Sequence, residues 1–306
     1  MTGLSASPAA KINLALAVTG IREDGYHTLR SVFLRVALHD RLEVDVDADA
    51  VSDSLLIDGD LDATPDNLVL RAAAQLRVEA ETTLPALRFH LTKRIPDGAG
   101  LGGGSSDAAA AMDLALRAWG VRLHPAARMG AALRLGADGP FFATGHGASL
   151  VSGIGEHLVP LPAPEPPAGL VLITPRERLS TAEVFAEYDR DPAGGALERV
   201  DEVADTLREE VDGATLAATT VMLREANDLW LPATRLLPGL TAMRDAAASV
   251  LGRAVLLTGS GSTLVAVYPS AVVAERAAAT LQAAAPPELV GATIISTSTV
   301  GKGEDS

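Results

Sequence analysis

The residues Pro96 to Asp107, reading PDGAGLGGGSSD, constrain this chain more than any other stretch. Gly98, Gly100, Gly102, Gly103 and Gly104 crowd into it. Without Cβ atoms, the backbone N–H groups of such a run can converge on a ligand. A helical pattern follows at once: Ser105 or Ser106 is placed to cap, Ala108 to Ala111 favour helix, and Met112, Leu116 and Trp119 share a face. Gly120 suits the stop. A glycine loop feeding a helix N-terminus is a ready anion site, because free N–H groups and the helix dipole both favour negative charge. The alternative is a flexible linker, against which the ordered patterns on both sides argue.

The loop is not of the Walker A type, because no Gly-Lys-Ser/Thr closes it. Gly98, Gly100 and Gly103 match the dinucleotide fingerprint in spacing, but a Rossmann unit needs a second strand ending in an acid for the ribose. Here Val121 to Leu123 is short, and His124-Pro125 opens another helical stretch.

A chain of 306 residues can bury one large core or two modest ones. With 48% hydrophobic and 21% charged residues it reads as soluble and globular, and with only 3% aromatics its core must rest on Ala, Leu and Val. A net charge of −14 argues against a nucleic-acid or anionic-membrane surface. It leaves room for an anionic substrate held by a local cluster of amides and lysines. The absence of cysteine excludes disulfides, zinc–thiolate sites and thiol nucleophiles. No apolar run is long enough to span a membrane and no signal-peptide pattern opens the sequence, so a cytoplasmic location is expected.

Taken in order, Ile12, Leu14, Leu16 and Val18 alternate, which predicts a strand with one apolar face. Lys11 and Asn13 share the other face, and a solvent-facing lysine is the plain reading of that position. Arg22 to His27 forms a polar turn whose Tyr26 and His27 can hold a nucleobase or simply close a capped loop. Ser31 to Leu38 and Arg41 to Val46 alternate as strands about a turn at Asp40, and Ser54 to Ile57 adds an edge strand. Asp66-Asn67-Leu68 opens a helix running to about Glu81, with Asn67 as cap or first-turn residue. Leu87, Phe89 and Leu91 alternate in a strand that delivers Lys93 to the mouth of the glycine loop. A cation there can neutralise phosphate, contact a base edge or stand solvated.

Past the loop helix, Ala126 to Leu135 reads as a helix ending at Gly136. Asp138 then sits between glycine, proline and paired aromatics, as a turn residue, a cap or a reactive carboxylate. Gly147 to Val151 and His157 to Leu161 form a hairpin, and the proline-rich Pro160 to Pro167 reads as a linker. The boundary placed there divides the chain into residues 1–162 and 163–306. Beyond it come a strand at Gly169 to Ile173 and a helix capped by Ser180 that carries Val184 and Phe185. Helices over Ala196 to Val211, the first an exposed one, Ala214 to Glu225 and Thr241 to Leu251 follow. Strands Ala254 to Leu257 and Leu264 to Tyr268 flank a Gly-Ser-Gly-Ser crossing that reads alone as an ordinary hairpin. Helix Ala271 to Ala284 and strand Leu289 to Ser296 complete a two-layer α+β unit, and the tail from Lys302 frays.

The string KRIPDGAGLGGGSSDAA, Lys93 to Ala109, resembles the phosphate loop of the GHMP kinases, small-molecule kinases that bind ATP without a P-loop fold. Ala10 to Leu14 resembles that family's first motif, Gly136 to Pro140 resembles its Gly-Ala-Asp-Val-Pro segment, and Thr258 to Thr263 its third motif. Two departures are visible: Pro8 is followed by Ala9-Ala10 where the family usually reads Pro-Ala-Lys, and Gly139 replaces the usual valine. Tyr26-His27 and the GADGP form match the member that phosphorylates a cytidine diphosphate-linked methylerythritol in non-mevalonate isoprenoid synthesis, and not the homoserine or mevalonate kinases.

The resemblance implies an α+β, two-domain GHMP kinase fold: an N-terminal ribosomal S5 domain 2-like domain and a C-terminal α+β sandwich. It implies ATP with Mg2+, the nucleotide meeting Asn67 near adenine, Lys93, Pro96, Asp97, Gly98, Ala99, Gly100, Leu101, Gly102, Gly103, Gly104, Ser105 and Ser106. The substrate would meet Asn13, Tyr26, His27, Thr181, Phe185, Gly259 and Ser260. Asp138 would take the hydroxyl proton, and Lys11 would steady Asp138 and the developing phosphoryl charge. No magnesium ligand is identified, Ser106 and Asp107 being candidates by position only. The partner implied is a small molecule, with no nucleic acid and no membrane, for a monomer or weak homodimer. An RNA-binding or structural role is the alternative from another class, since ribosomal and translocase domains share the N-terminal fold. The acidic balance and the lack of an Arg/Lys stripe oppose it.

Overall fold

The structure is a computed structural model that describes residues 3–58, 60–62, 64–80 and 83–301. The tail from Lys302, and Glu81 at the expected end of a helix, lie outside the described residues. The described chain forms two compact units that interleave in sequence: Met1–Ala10, Leu38–Asp97 and Gly102–Gly145 make the first, and Lys11–Ala37, Gly98–Leu101 and His146–Ser306 the second. The proline-rich stretch 160–167, read as a linker, therefore lies inside the second unit. Its backbone is engaged there: Glu165 N–H donates to Val211 O, and Pro166 O accepts from Gly213 N–H.

In the first unit a five-stranded sheet runs in the order Leu4–Ala6, Arg41–Asp47, Ala86–Thr92, Ser54–Ile57, Asp60–Asp62. Ser54–Ile57 pairs parallel with Ala86–Thr92 and antiparallel with Asp60–Asp62, so it is an interior strand and not the expected edge. Helices Leu68–Ala80, Gly103–Trp119, Pro125–Leu135 and Gly139–Thr144 complete the unit. Val44, Leu55, Leu87 and Phe89 from the sheet share one core with Ala72, Leu76, Ala108, Ala111, Met112 and Ala115 from the helices. Alanine on the helix side keeps these layers close. Each large side chain buried there contributes about 1.5–3 kcal/mol.

The second unit contains two four-stranded sheets. One runs Leu256–Leu257, Leu264–Tyr268, Gly169–Thr174, Thr293–Ser298, all antiparallel, with Gly239–Leu251 and Ala271–Ala284 contributing Leu240, Met243, Ala247, Ala278 and Leu281 to its core. The other runs Ala9–Ile21, His27–His39, Ala148–Gly153, His157–Leu161. Ala9 to Ala17 is buried on both faces, so the alternation read as apolar against polar hides a polar pair inside the protein.

Several elements differ from expectation for identifiable reasons. The helix anticipated over Ala214 to Glu225 divides into Gly213–Thr219 and a 3-10 turn, Thr220–Leu223. Leu197–Arg208 is not simply exposed, since Val200, Val203, Ala204 and Leu207 form a buried stripe. The last strand is Thr293–Ser298, because Pro287–Leu289 is taken by a 3-10 turn. Strand Ala254 to Leu257 shortens to Leu256–Leu257, and Trp230–Leu236 adds a short helix that no apolar period announced.

Candidate active site

The glycine-rich segment changes character at Gly102. Its first part, Gly98–Leu101, belongs to the second unit. Leu101 O accepts from Lys11 N–H at 2.9 Å, and Ala99 O accepts from Thr263 N–H at 3.3 Å. Gly100 has φ +77°, and a Cβ there would stand 2.7 Å from Gly261 O and 3.0 Å from Thr258 O. Only glycine fits that approach. Gly102, in the left-handed region, is the N-cap of helix Gly103–Trp119, and no side chain caps it. The expected serine cap is thus corrected: Gly102 supplies the turn, and Ser105 and Ser106 lie in the first helical turn. Helical geometry leaves the amides of Gly102, Gly103, Gly104 and Ser105 without an intrahelical acceptor, whereas Ser106 N–H donates to Gly102 O. Such a terminus favours anionic oxygen.

Lys11 is only 4% exposed, not the solvent-facing residue its strand position suggested. Its Nζ donates to Asn13 Oδ1 at 2.7 Å and stands 4.8 Å over the Phe33 ring. Asn13 Nδ2 donates to Ser31 Oγ, and Asn13 N–H to Thr258 Oγ1 at 2.7 Å. A Cβ on Gly259 would lie 3.2 Å from Asn13 Oδ1 and 3.5 Å from Lys11 Nζ. The strand, the glycine segment and the Thr258–Thr263 loop therefore meet around Lys11 and Asn13. Ser260 Oγ joins Thr181 Oγ1 at 2.9 Å, bringing two expected substrate residues together.

In the first unit Lys93 is enclosed by carboxylates. Its Nζ lies 2.6 Å from Asp40 Oδ2, 2.9 Å from Asp107 Oδ2 and 3.4 Å from Asp97 Oδ1. Asp40 is fully buried and also accepts from the N–H groups of Arg94 and Ile95. Burial works against the Lys93 charge, but Asp107 and Asp40 outweigh it and hold the ammonium above its ordinary range. Burial, with Asp40 adding to it, pushes the Asp107 carboxyl up to about 7 against the pull of Lys93. Asp107 Oδ1 is buried without a hydrogen-bond partner. It lines a cavity of about 350 Å³ with Asn67, Lys93, Asp97, Gly104 and the apolar Leu91. Asn67 Oδ1 accepts from Val69 N–H and so opens its helix as expected. Pro96 follows buried Ile95 and is half-buried.

Asp138, also in the first unit, is half-buried at the start of helix Gly139–Thr144, and its side chain makes no capping hydrogen bond. Asp138 thus holds the N-cap position by its backbone, while its side chain does not serve as the cap. Gly139 answers the departure from valine: a Cβ there would stand 2.2 Å from Ala132 O, so the local backbone has no room for any side chain.

The ring cluster belongs to the second unit. His27 stacks on Phe185 with centroids 4.7 Å apart, Tyr188 meets His27 edge-on, and Asp189 Oδ1 lies 2.7 Å from His27 Nε2. Tyr26 stays 63% exposed. Phe185 also packs against the buried Leu16, Val184 and Leu229, so it serves core and surface at once.

Sequence reasoning passed over Asp40, Asp189 and Asn227. Asn227 Nδ2 donates to Leu257 O and Gly259 O, its Oδ1 accepts from Leu229 N–H, and it thereby fixes the loop facing Lys11. A polar Asn-Asp pair just past the end of the anticipated helix was the available signal.

The chain is similar to known proteins in sequence and fold. Residues 67–146 match the family described as the GHMP kinases N terminal domain. A 4-diphosphocytidyl-2-C-methyl-D-erythritol kinase from Paramagnetospirillum magneticum is 36% identical over 290 residues, 94% of this chain and 96% of its own. The enzyme of that name from Nitrosomonas eutropha is 36% identical over 262 residues, 85% of this chain and 86% of its own. A crystal structure of 4-(cytidine 5'-diphospho)-2C-methyl-D-erythritol kinase aligns with TM-score 0.74 and 32% identity, covering 96% of this chain and 98% of that one. A mevalonate kinase at TM-score 0.69 and 12% identity shares the fold. With this identity over nearly its whole length, the chain belongs to the 4-diphosphocytidyl-2-C-methyl-D-erythritol kinase family of the GHMP kinases.

Proposed function

We propose that the chain transfers the γ-phosphoryl group of ATP to the 2-hydroxyl of 4-diphosphocytidyl-2-C-methyl-D-erythritol, giving the 2-phosphate and ADP, a step of non-mevalonate isoprenoid synthesis. The observation that carries this reading is the meeting of three distant stretches inside one unit: Lys11 N–H on Leu101 O, Gly100 against Gly261 O, and Gly259 against Lys11 and Asn13.

The acceptor is a tertiary alcohol, hindered and weakly acidic, so positioning and proton removal both matter. ATP phosphates rest on the amides of the glycine segment, from Gly98 to Ser106, and the cavity beside Asn67 and Lys93 receives the base. Asp138 takes the hydroxyl proton as the new O–P bond forms and the bond from the γ-phosphorus to ADP breaks. Lys11, oriented by Asn13, stabilises the charge that develops on the phosphoryl oxygens. His27, Phe185 and Tyr26 hold the cytosine, with Thr181, Gly259 and Ser260 lining the substrate's path.

Magnesium, when bound with ATP, would supply charge neutralisation at the phosphates. Among the described residues no three His, Cys, Asp or Glu side chains are grouped to hold a metal ion, and Asp107 commits Oδ2 to Lys93. A protein-built magnesium cage does not fit these donors. Among the described residues no helix is long and apolar enough to cross a membrane. The enzyme works on small molecules in the cytoplasm as a monomer or weak homodimer.

The test is direct. Incubation with ATP, Mg2+ and the cytidylyl substrate should release ADP and yield a new phosphomonoester by phosphorus NMR, while mevalonate and homoserine give neither. Turnover of mevalonate or homoserine instead of the cytidylyl substrate would assign the chain to another GHMP activity.

A further inference from the structure

Lys93, the cation expected at the phosphates, has its ammonium among the carboxylates of Asp40, Asp97 and Asp107. The protein has only two other lysines, Lys11 and Lys302, within a net charge of −14. A polyphosphate approaching such a chain needs a local cation, because the distant field repels it.

Arg178 lies beside the start of the glycine segment. It is exposed, and among the described residues no carboxylate lies within ion-pair range of it. Its stem covers the start of the glycine segment: a Cβ on Gly98 would lie 3.2 Å from Arg178 Cδ. The backbone on both sides is tied down. Glu177 O accepts from Ser262 Oγ at 2.8 Å, a Cβ on Gly261 would meet Leu179 Cδ1 at 3.3 Å, and Ser180 caps helix Thr181–Arg190. The Thr258–Thr263 loop therefore holds the short segment that carries Arg178, whose side chain lies against Gly98. A guanidinium on a fixed backbone loses less freedom on binding, and its planar fork matches two phosphate oxygens at once.

We propose that Arg178 is a phosphate-binding residue of this site, gripping a phosphate of a bound nucleotide beside Gly98. The inference rests on the kinase reading for the presence of two nucleotides, ATP and the cytidylyl substrate, each of which carries phosphates. The geometry favours ATP, whose phosphates rest on the same glycine segment. A solvated surface arginine that merely shields Gly98 is the competing explanation, and it predicts no effect on phosphate affinity.

Equilibrium binding of ATP, ADP and adenosine to the full chain separates the two. Arg178→Gln should weaken ATP and ADP by roughly 10–100-fold, the scale of one charge-assisted hydrogen bond, and leave adenosine within about twofold. Arg178→Lys should recover part of the loss, and both variants should melt with the parent protein because the side chain is exposed. Steady-state kinetics identify the phosphate: a raised KM for ATP assigns it to ATP, and a raised KM for the cytidylyl substrate alone assigns it to that diphosphate. Unchanged affinity for ATP and ADP together with unchanged KM for both substrates overturns the proposal. Equal loss for adenosine and ATP overturns it too, since the phosphate would then not be what Arg178 reads. Wild-type protein that binds ATP but fails to turn over the cytidylyl substrate would sink the kinase reading, while the ATP and ADP arm would still decide the role of Arg178.

Discussion

Lys93 and Arg178 both bring positive charge to the glycine-rich segment, one in each compact unit, and their surroundings are opposite. Lys93 is largely buried, and a Cβ on Gly103 would lie 3.4 Å from its Nζ. Arg178 is exposed and lies along Gly98. A buried ammonium is tolerated only with compensating carboxylates, and Asp40, Asp97 and Asp107 supply them. The compensation turns Lys93 into a clamp: through Asp40 it joins the N–H groups of Arg94 and Ile95, and through Asp107 the loop helix. A cation that is to meet incoming phosphate is better left in water until the ligand arrives. On the proposal made for Arg178, burial rather than proximity in sequence separates the cation that meets phosphate from the one that does not.

The comparison can be broken from several sides. If clamp and anchor are the only duties of these two cations, proton removal falls to Asp138, and Asp138→Asn should lower kcat by about 10²–10⁴-fold with both KM values nearly kept. A variant that retains most of its kcat at saturating substrates would return the reaction to positioning and electrostatics alone. Asp40→Ala attacks the clamp itself. Removing one partner of a buried ion pair costs about 3–5 kcal/mol, so chemical denaturation should show a loss on that scale. A raised KM for ATP with unchanged stability would instead make Lys93 the phosphate ligand and reverse the comparison.

Smaller effects test the ring cluster and the Asp107 carboxyl. Phe185→Ala should weaken the cytidylyl substrate by about 1–3 kcal/mol and spare ATP, as expected for a stacking ring. Equal loss for both nucleotides would point to the core role of Phe185 beside Leu16 and Val184. The last effect is a slope. Because burial pushes the Asp107 carboxyl up to about 7, the folded protein holds a proton there that the unfolded chain has already released. The native state binds more protons between the two values, so stability from this group falls as pH rises toward about 7 and its cost is complete above it. Lys93, held above its ordinary range, stays charged throughout and adds no slope in that window. Asp107→Asn should remove the slope, the variant gaining on the parent by up to about 1.4 kcal/mol per pH unit as pH rises through that window. A pH-independent difference would mean that Asp107 is ionised on both sides of it.

Much of the fold was legible because its signals are local. Helix Ala271–Ala284 has the bounds expected from its alanine-rich run, and Gly120 and Gly252 end their helices in the left-handed region. The glycine crossing at Thr258 to Thr263 also lies between two strands as read. What was not legible depends on distant neighbours. Ser54–Ile57 looked like an edge because nothing within it announces Asp60–Asp62 on its far side. The cap of the loop helix moved from serine to Gly102 because backbone conformation, not side-chain chemistry, makes that turn. Pro160 to Pro167 read as a linker by composition, yet its backbone hydrogen bonds to the start of the Gly213–Thr219 helix.

By itself the sequence determined the glycine segment and the helix it feeds, the short side chains that let them form, and the acid, lysine and ring residues placed at motif spacing. These are properties of neighbouring residues, set by missing Cβ atoms, by helix and strand periods and by turn chemistry. Only the tertiary structure decided what each charged group does. Lys11 went inside, onto Asn13 and the face of Phe33; Lys93 was drawn into a carboxylate nest; Arg178, which no motif marked, came to lie on Gly98. The physical reason is that a charge is governed by desolvation and by partners within a few ångströms, and those partners come from residues such as Asp40, 53 positions away from Lys93 along the chain.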